Sequence, residues 1–103
     1  MYQQLKREST NTDKIYLTPE GAFYKAYERS AYILCTQWRY LKPTVRRIKY
    51  LSGEPVVSVG FPKSSLMALE CDFAGDDLVY YASPIDEADF ISWKDKLTYG
   101  TLR

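Results

Sequence analysis

A chain of 103 residues, 46% hydrophobic and 26% charged, has the size and composition of one globular domain, which excludes a disordered or fibrous chain. Histidine is absent, and with it go Ser-His-Asp and Cys-His nucleophile pairs, the commonest general base and most zinc and iron sites. The formal net charge of +1 conceals a division: residues 1–69 hold eleven Lys or Arg against five acids, residues 70–103 three against eight.

In chain order, the first thirteen residues are polar, with Tyr2 and Leu5 as apolar anchors, and predict a short helix or a loosely held arm. Residues 14–27 alternate as a strand does, and Pro19 and Gly21 imply a bend or bulge within it. From Glu28 the period changes. Ala31, Leu34, Cys35, Trp38 and Leu41 share one face of a helix that Pro43 ends. Residues 44–51 and 55–61 are β-branched and aromatic runs separated by Ser52-Gly53-Glu54, which predicts an antiparallel hairpin. Pro62, Ser64 and Ser65 offer a helix start, and Leu66, Leu69 and Phe73 continue at helical spacing to Gly75. Residues 77–82 read as a strand. Ser83 with Pro84 then opens a last helix, with Phe90, Trp93 and Leu97 on its apolar face. The expected fold is α/β (α+β) over residues 1–103, a mixed sheet with packed helices in the order β-α-β-β-α-β-α.

Several chemical readings lapse at this level. Ser64 and Ser65 have no base to activate them and suit a helix cap better than nucleophiles. The acids Asp76, Asp77, Asp86, Glu87 and Asp89 lack the order and turning glycine of an EF-hand loop. Cys35 and Cys71 stand at no framework or Cys-x-x-Cys spacing and read as two buried thiols within helical patterns. No catalytic centre, cofactor or metal is expected. The N-terminal residues lack the apolar run of a signal peptide and no segment reaches the roughly 20 apolar residues of a bilayer span, so a cytoplasmic protein without membrane contact is expected.

What remains is a binding surface. Ten Tyr, four Phe and two Trp suit a thin core or a contact face. Between Glu28 and Glu54 there are six bases and no acid: Arg29, Arg39, Lys42, Arg46, Arg47 and Lys49. Such a patch suits phosphates or an acidic protein surface, and the oppositely charged ends also allow weak self-association. Arg46 and Arg47 are adjacent on a strand and point to opposite faces.

The segment from Gly21 to Ala31, Gly-Ala-Phe-Tyr-Lys-Ala-Tyr-Glu-Arg-Ser-Ala, resembles the Gly-Asp-Phe-Tyr-Glu segment and following helix start of the N-terminal, mismatch-recognition domain of MutS-type DNA repair proteins. Tyr2, Leu5 and Lys6 match that domain's opening helix. Val59-Gly60-Phe61-Pro62 matches its Gly-x-Pro turn, and Leu66 to Leu69, Gly75 and Leu78 to Tyr81 follow its helix, glycine and final strand. The resemblance runs in order over residues 2–85 and implies a MutS domain I-like fold. It also implies that Phe23 takes the place of a wedge that enters the minor groove and stacks on a mispaired base. Lys25 stands where the family's base-directed Glu would be, and Ala22 where its Asp would be, an exchange that keeps phosphate affinity and removes the base contact. The expectation is a non-catalytic nucleic-acid-binding or accessory module, with Phe23, Lys25, Arg39, Lys42, Arg46, Arg47 and Lys49 as its candidate contacts. The alternative is a protein-interaction or regulatory module that has kept the fold and lost DNA binding.

Overall fold

The computed structural model describes residues 2–38, 41–48, 53–66 and 70–99. Helix α1 (Tyr2–Glu8) precedes β1 (Lys14–Glu20) and β2 (Phe23–Tyr27). Helix α2 (Glu28–Ile33) runs into a π-helical turn at Leu34–Trp38, followed by β3 (Thr44–Ile48) and β4 (Glu54–Pro62). After a 3₁₀ turn at Lys63–Ser65 come β5 (Asp72–Ala74), β6 (Asp77–Tyr81) and α3 (Glu87–Tyr99).

The strands form one six-stranded sheet in the order β3-β4-β2-β1-β6-β5, every neighbouring pair antiparallel. Cross-strand partners share a face, so the register sorts the side chains. On the inner face Ile15, Leu17, Val57, Val59, Phe61, Leu78 and Tyr80 meet Ala31, Ile33 and Leu34 of α2 and its π turn, with Trp93 and Leu97 of α3 packed against them. Tyr32 gathers Phe90 and Trp93 edge-on, with ring centroids 5.9 and 5.2 Å away, and Trp38 meets Tyr80 at 5.6 Å. The aromatic surplus in this region fills a thin core.

The outer face carries α1. Arg7 stacks over the Tyr16 ring at 4.0 Å and bonds Asp77 at 2.8 Å, and Asp77 also accepts from Thr18. Glu8 is buried and accepts from Asn11 Nδ2, the Ser30 N–H and the Ser30 hydroxyl. Burial pushes its carboxyl up to about 7 against the pull of these donors and of Arg7. The arm is therefore the helix, held by a buried polar knot.

The start of α2 occupies a fork in the sheet. Residues 14–17 of β1 pair with β6, residues 18–20 with β2, and β2 leaves the ladder after Tyr27. Two backbone donors would be orphaned there. Val57 N–H donates to Glu28 Oε2 at 3.1 Å and Tyr16 N–H to the Ser30 hydroxyl at 2.9 Å, so side chains replace the missing strand. Glu28 adopts φ 49°, a left-handed conformation costing a non-glycine residue roughly 1–2 kcal/mol. Its carboxylate, bonded to Val57 and to Lys94 of α3, offsets that strain.

Several expectations change. Residues 14–27 are not one bent strand but a hairpin: Gly21 (φ 61°) and Ala22 form its two-residue turn, and a left-handed glycine at the first turn position is what such a loop accepts. Among the described residues from Pro62 to Gly75 there is no α-helix. Pro62 ends β4, Lys63–Ser65 is a single turn, and residues 72–74 pair with β6 around Gly75 (φ 63°). There the helical spacing of Leu66 and Phe73 misleads, because both are exposed, Phe73 by 74%. Residues 67–69, including Leu69, lie outside the described residues. The β5–β6 hairpin replaces the second expected helix, and β4 inserts between β2 and β3, which α2 connects, so the sheet is antiparallel instead of mixed. The helix from Glu28 gives way to π geometry at Leu34, and Ile33 joins the core that the predicted face omitted. The last helix starts at Glu87, where Asp86 Oδ1 accepts the Ala88 N–H, while Ser83 is bound by the amide of Gln37. Cys35 and Cys71 are free and half-buried, and Cys71 precedes a strand. The antiparallel hairpin of β3 and β4 forms as expected, with Val45 opposite Val57.

Candidate nucleic-acid interface

The β1–β2 hairpin carries the most exposed aromatic group of the second strand. Phe23 stands on the outer face, 47% exposed, directly after the turn. Period-two alternation places Lys25 on the same face and sends Tyr24 inward, where its ring lies 6.2 Å from Phe61. Lys25 is bedded on Gly60, its cross-strand partner: a Cβ there would come 3.4 Å from Lys25 Cδ and Cε. The missing side chain lets the lysine stem lie flat on β4.

The end of β4 completes this surface. Phe23 pairs with Pro62, and the next residue, Lys63, donates its N–H to Ala22 O at 2.9 Å. The turn is thereby locked to the neighbouring strand. Lys63 is exposed, with Nζ 5.4 Å from the centre of the Tyr24 ring. Neither Lys25 nor Lys63 forms an ion pair among the described residues. Opposite Phe23 stands Glu20, whose carboxylate accepts the Tyr27 hydroxyl. An exposed aromatic ring with Lys25 on its own face and Glu20 alongside, and with Lys63 at the same end of the sheet but lying against the inward Tyr24 ring, can stack a planar group, hold phosphate and accept a hydrogen bond.

The remaining predicted contacts are elsewhere. Arg46 is opposite Val56 and Lys25 opposite Gly60, four residues along β4, or roughly 14 Å at about 3.4 Å per residue. Arg46 is exposed on the outer face; Arg47 belongs to the inner face and donates to Gly53 O at 3.0 Å, confirming the opposite directions expected of the pair. Lys42 is exposed just before β3. Arg39 and Lys49 lie outside the described residues. Arg29 is committed to the fold: it pairs with Glu87, donates to Glu8 O at 3.0 Å and stacks over Phe90 at 4.7 Å. That contact holds the Glu87 carboxyl below its usual range. The structure thus joins Phe23 to Lys25 and leaves the β3 bases as a separate patch.

Lys63 and Glu20 were not among the residues read from sequence. Glu20 becomes a neighbour of Phe23 once Gly21-Ala22 is recognised as a hairpin turn, whereas Lys63 is brought there only by the register of β2 against β4. Among the described residues no group of three Cys, Asp or Glu side chains is placed to hold a metal ion, and no helix is long and apolar enough to cross a membrane. Comparison with family models, with curated proteins and with solved structures finds no match to this chain.

Proposed function

We propose that the protein is a nucleic-acid-binding module that engages its ligand at the β1–β2 hairpin, stacking a base on Phe23 and holding adjoining phosphates with Lys25 and Lys63. The observation that carries this reading is the exposed Phe23 sharing the outer face with Lys25, which has no ion pair among the described residues, while Lys63 follows Pro62, the cross-strand partner of Phe23. The resemblance of residues 21–31 to the mismatch-recognition segment of MutS-type proteins supports it further, and Glu20 offers a carboxylate beside the ring where Lys25 replaces the family's own.

Fluorescence anisotropy with short single-stranded, paired and mismatched DNA tests it. Base–aromatic stacking contributes about 1–3 kcal/mol, so Phe23→Ala weakens binding by roughly tenfold, and binding falls steeply with salt. Absence of binding to every oligonucleotide at low salt overturns the reading and leaves the hairpin as a protein-interaction surface.

A further inference from the structure

The two edge strands of the sheet differ in charge in a way that the hairpin site does not use. At one edge β3 carries exposed Arg46 and Arg47, with Lys42 just before it; at the other β5 carries exposed Asp72, with Glu70 before it and Asp76 after it. Each edge strand has one strand neighbour among the described residues, so each presents a row of backbone donors and acceptors on its open side. The sheet has six strands and every pairing is antiparallel, so β3 and β5 run in opposite directions. A second copy set beside the first in the same orientation therefore brings its β3 antiparallel to the first copy's β5.

We propose that the chain self-assembles head to tail, the β5 edge of one copy adding to the β3 edge of the next to continue the sheet. Matching the faces restricts the register, because Phe73 and Val45 are inner-face residues whereas Asp72 and Arg46 are outer-face residues. Phe73 opposite Val45 places Asp72 opposite Arg46 and Ala74 opposite Thr44. The same alignment carries Asp76 towards Lys42. It also sets Arg47 opposite Cys71. One register thus covers the 74%-exposed Phe73 with an apolar partner and matches a charge pair on the other face. The symmetric alternatives fail on charge: β5 against β5 gathers acids and β3 against β3 gathers bases. Because the contact joins two different edges, it propagates into rings or filaments instead of closing as a simple dimer.

This assembly goes beyond the nucleic-acid reading and leaves the β1–β2 hairpin free, so the two stand or fall separately. Sedimentation velocity of the full chain without nucleic acid, at low salt over a concentration series, reads it directly. The expected result is a mass that rises above the monomer with concentration and returns towards it as salt screens the pair. Arg46→Asp and Asp72→Arg each remain monomeric at concentrations where the parent chain associates, and an equimolar mixture of the two regains association because both junctions then carry opposite charges. Recovery on mixing also shows that both variants are folded. A parent chain that stays monomeric throughout overturns the proposal, as do single variants that associate as the parent does or a mixture that fails to recover.

Discussion

Two regions only a few residues apart make opposite use of charged side chains. Around the β2–α2 junction, Glu8, Glu28 and Arg29 are all bonded: Glu8 to Ser30 and Asn11, Glu28 to Val57 and Lys94, Arg29 to Glu87. At the tip of the preceding hairpin, Phe23 is exposed and Lys25 and Lys63 have no ion pair among the described residues. The junction spends its polar groups on replacing a strand that has turned into a helix. The tip has its backbone bonds satisfied by the two flanking strands and leaves its side chains available. Changes at the junction should alter stability, and changes at the tip should alter binding.

The largest expected effect is a pH dependence of the junction. Glu8 binds its proton more tightly in the folded state, about 7, than at its ordinary 4.5, so its favourable contribution is complete below about 4.5 and is lost as pH rises through 7. At about 1.4 kcal/mol per pH unit this amounts to roughly 3 kcal/mol. Thermal melts across that window should show a falling Tm. Glu8→Gln, which keeps an acceptor for the Ser30 N–H and offers a donor to the Ser30 hydroxyl, should flatten the slope; an unchanged slope would assign it to another group. Next comes Glu28→Ala, which orphans the Val57 N–H and frees Lys94 while retaining the left-handed backbone. A loss of about 2 kcal/mol is expected by urea denaturation, since an unsatisfied buried donor alone costs about 1–3 kcal/mol. A loss below about 0.5 kcal/mol would mean that water replaces the carboxylate.

The contrast between these regions was only half legible in the sequence. The β-branched and aromatic runs at residues 44–51 and 55–61 and the apolar face of the last helix identify elements that the structure contains. Residues 62–75 misled because Leu66 and Phe73 look like a helical face and are both exposed, while the actual determinant is the left-handed turn at Gly75. At the site, Phe23 and Lys25 are close in sequence and their shared face follows from alternation alone. Lys63 is 38 positions beyond Lys25, and only the register of β2 against β4 brings it to the turn. Arg29 illustrates the converse: it sits in the base-rich run but answers to Glu87, 58 residues away.

Phe23→Ala tests the tip from the other side. It should weaken oligonucleotide binding about tenfold while shifting folding stability by less than about 0.5 kcal/mol, because the ring is nearly half exposed and outside the main core.

The smallest effects discriminate best between the two regions. Lys63→Ala removes one cation from the tip, so the slope of log affinity against log salt for single-stranded DNA should fall by about 0.7, with the melting temperature unchanged. Arg29→Ala removes a cation of the same charge from the junction. It should leave that salt slope alone and reduce stability by about 1 kcal/mol, the loss coming from the backbone bond to Glu8 and the stacking on Phe90 more than from the partly exposed Glu87 pair. If both substitutions changed the slope equally, charge near the hairpin would act as a diffuse field and the distinction between committed and available bases would not hold. Equal loss of stability would instead mean that the lock from Lys63 to Ala22 depends on its side chain. The backbone donor of that lock survives substitution, which is why the two variants should separate.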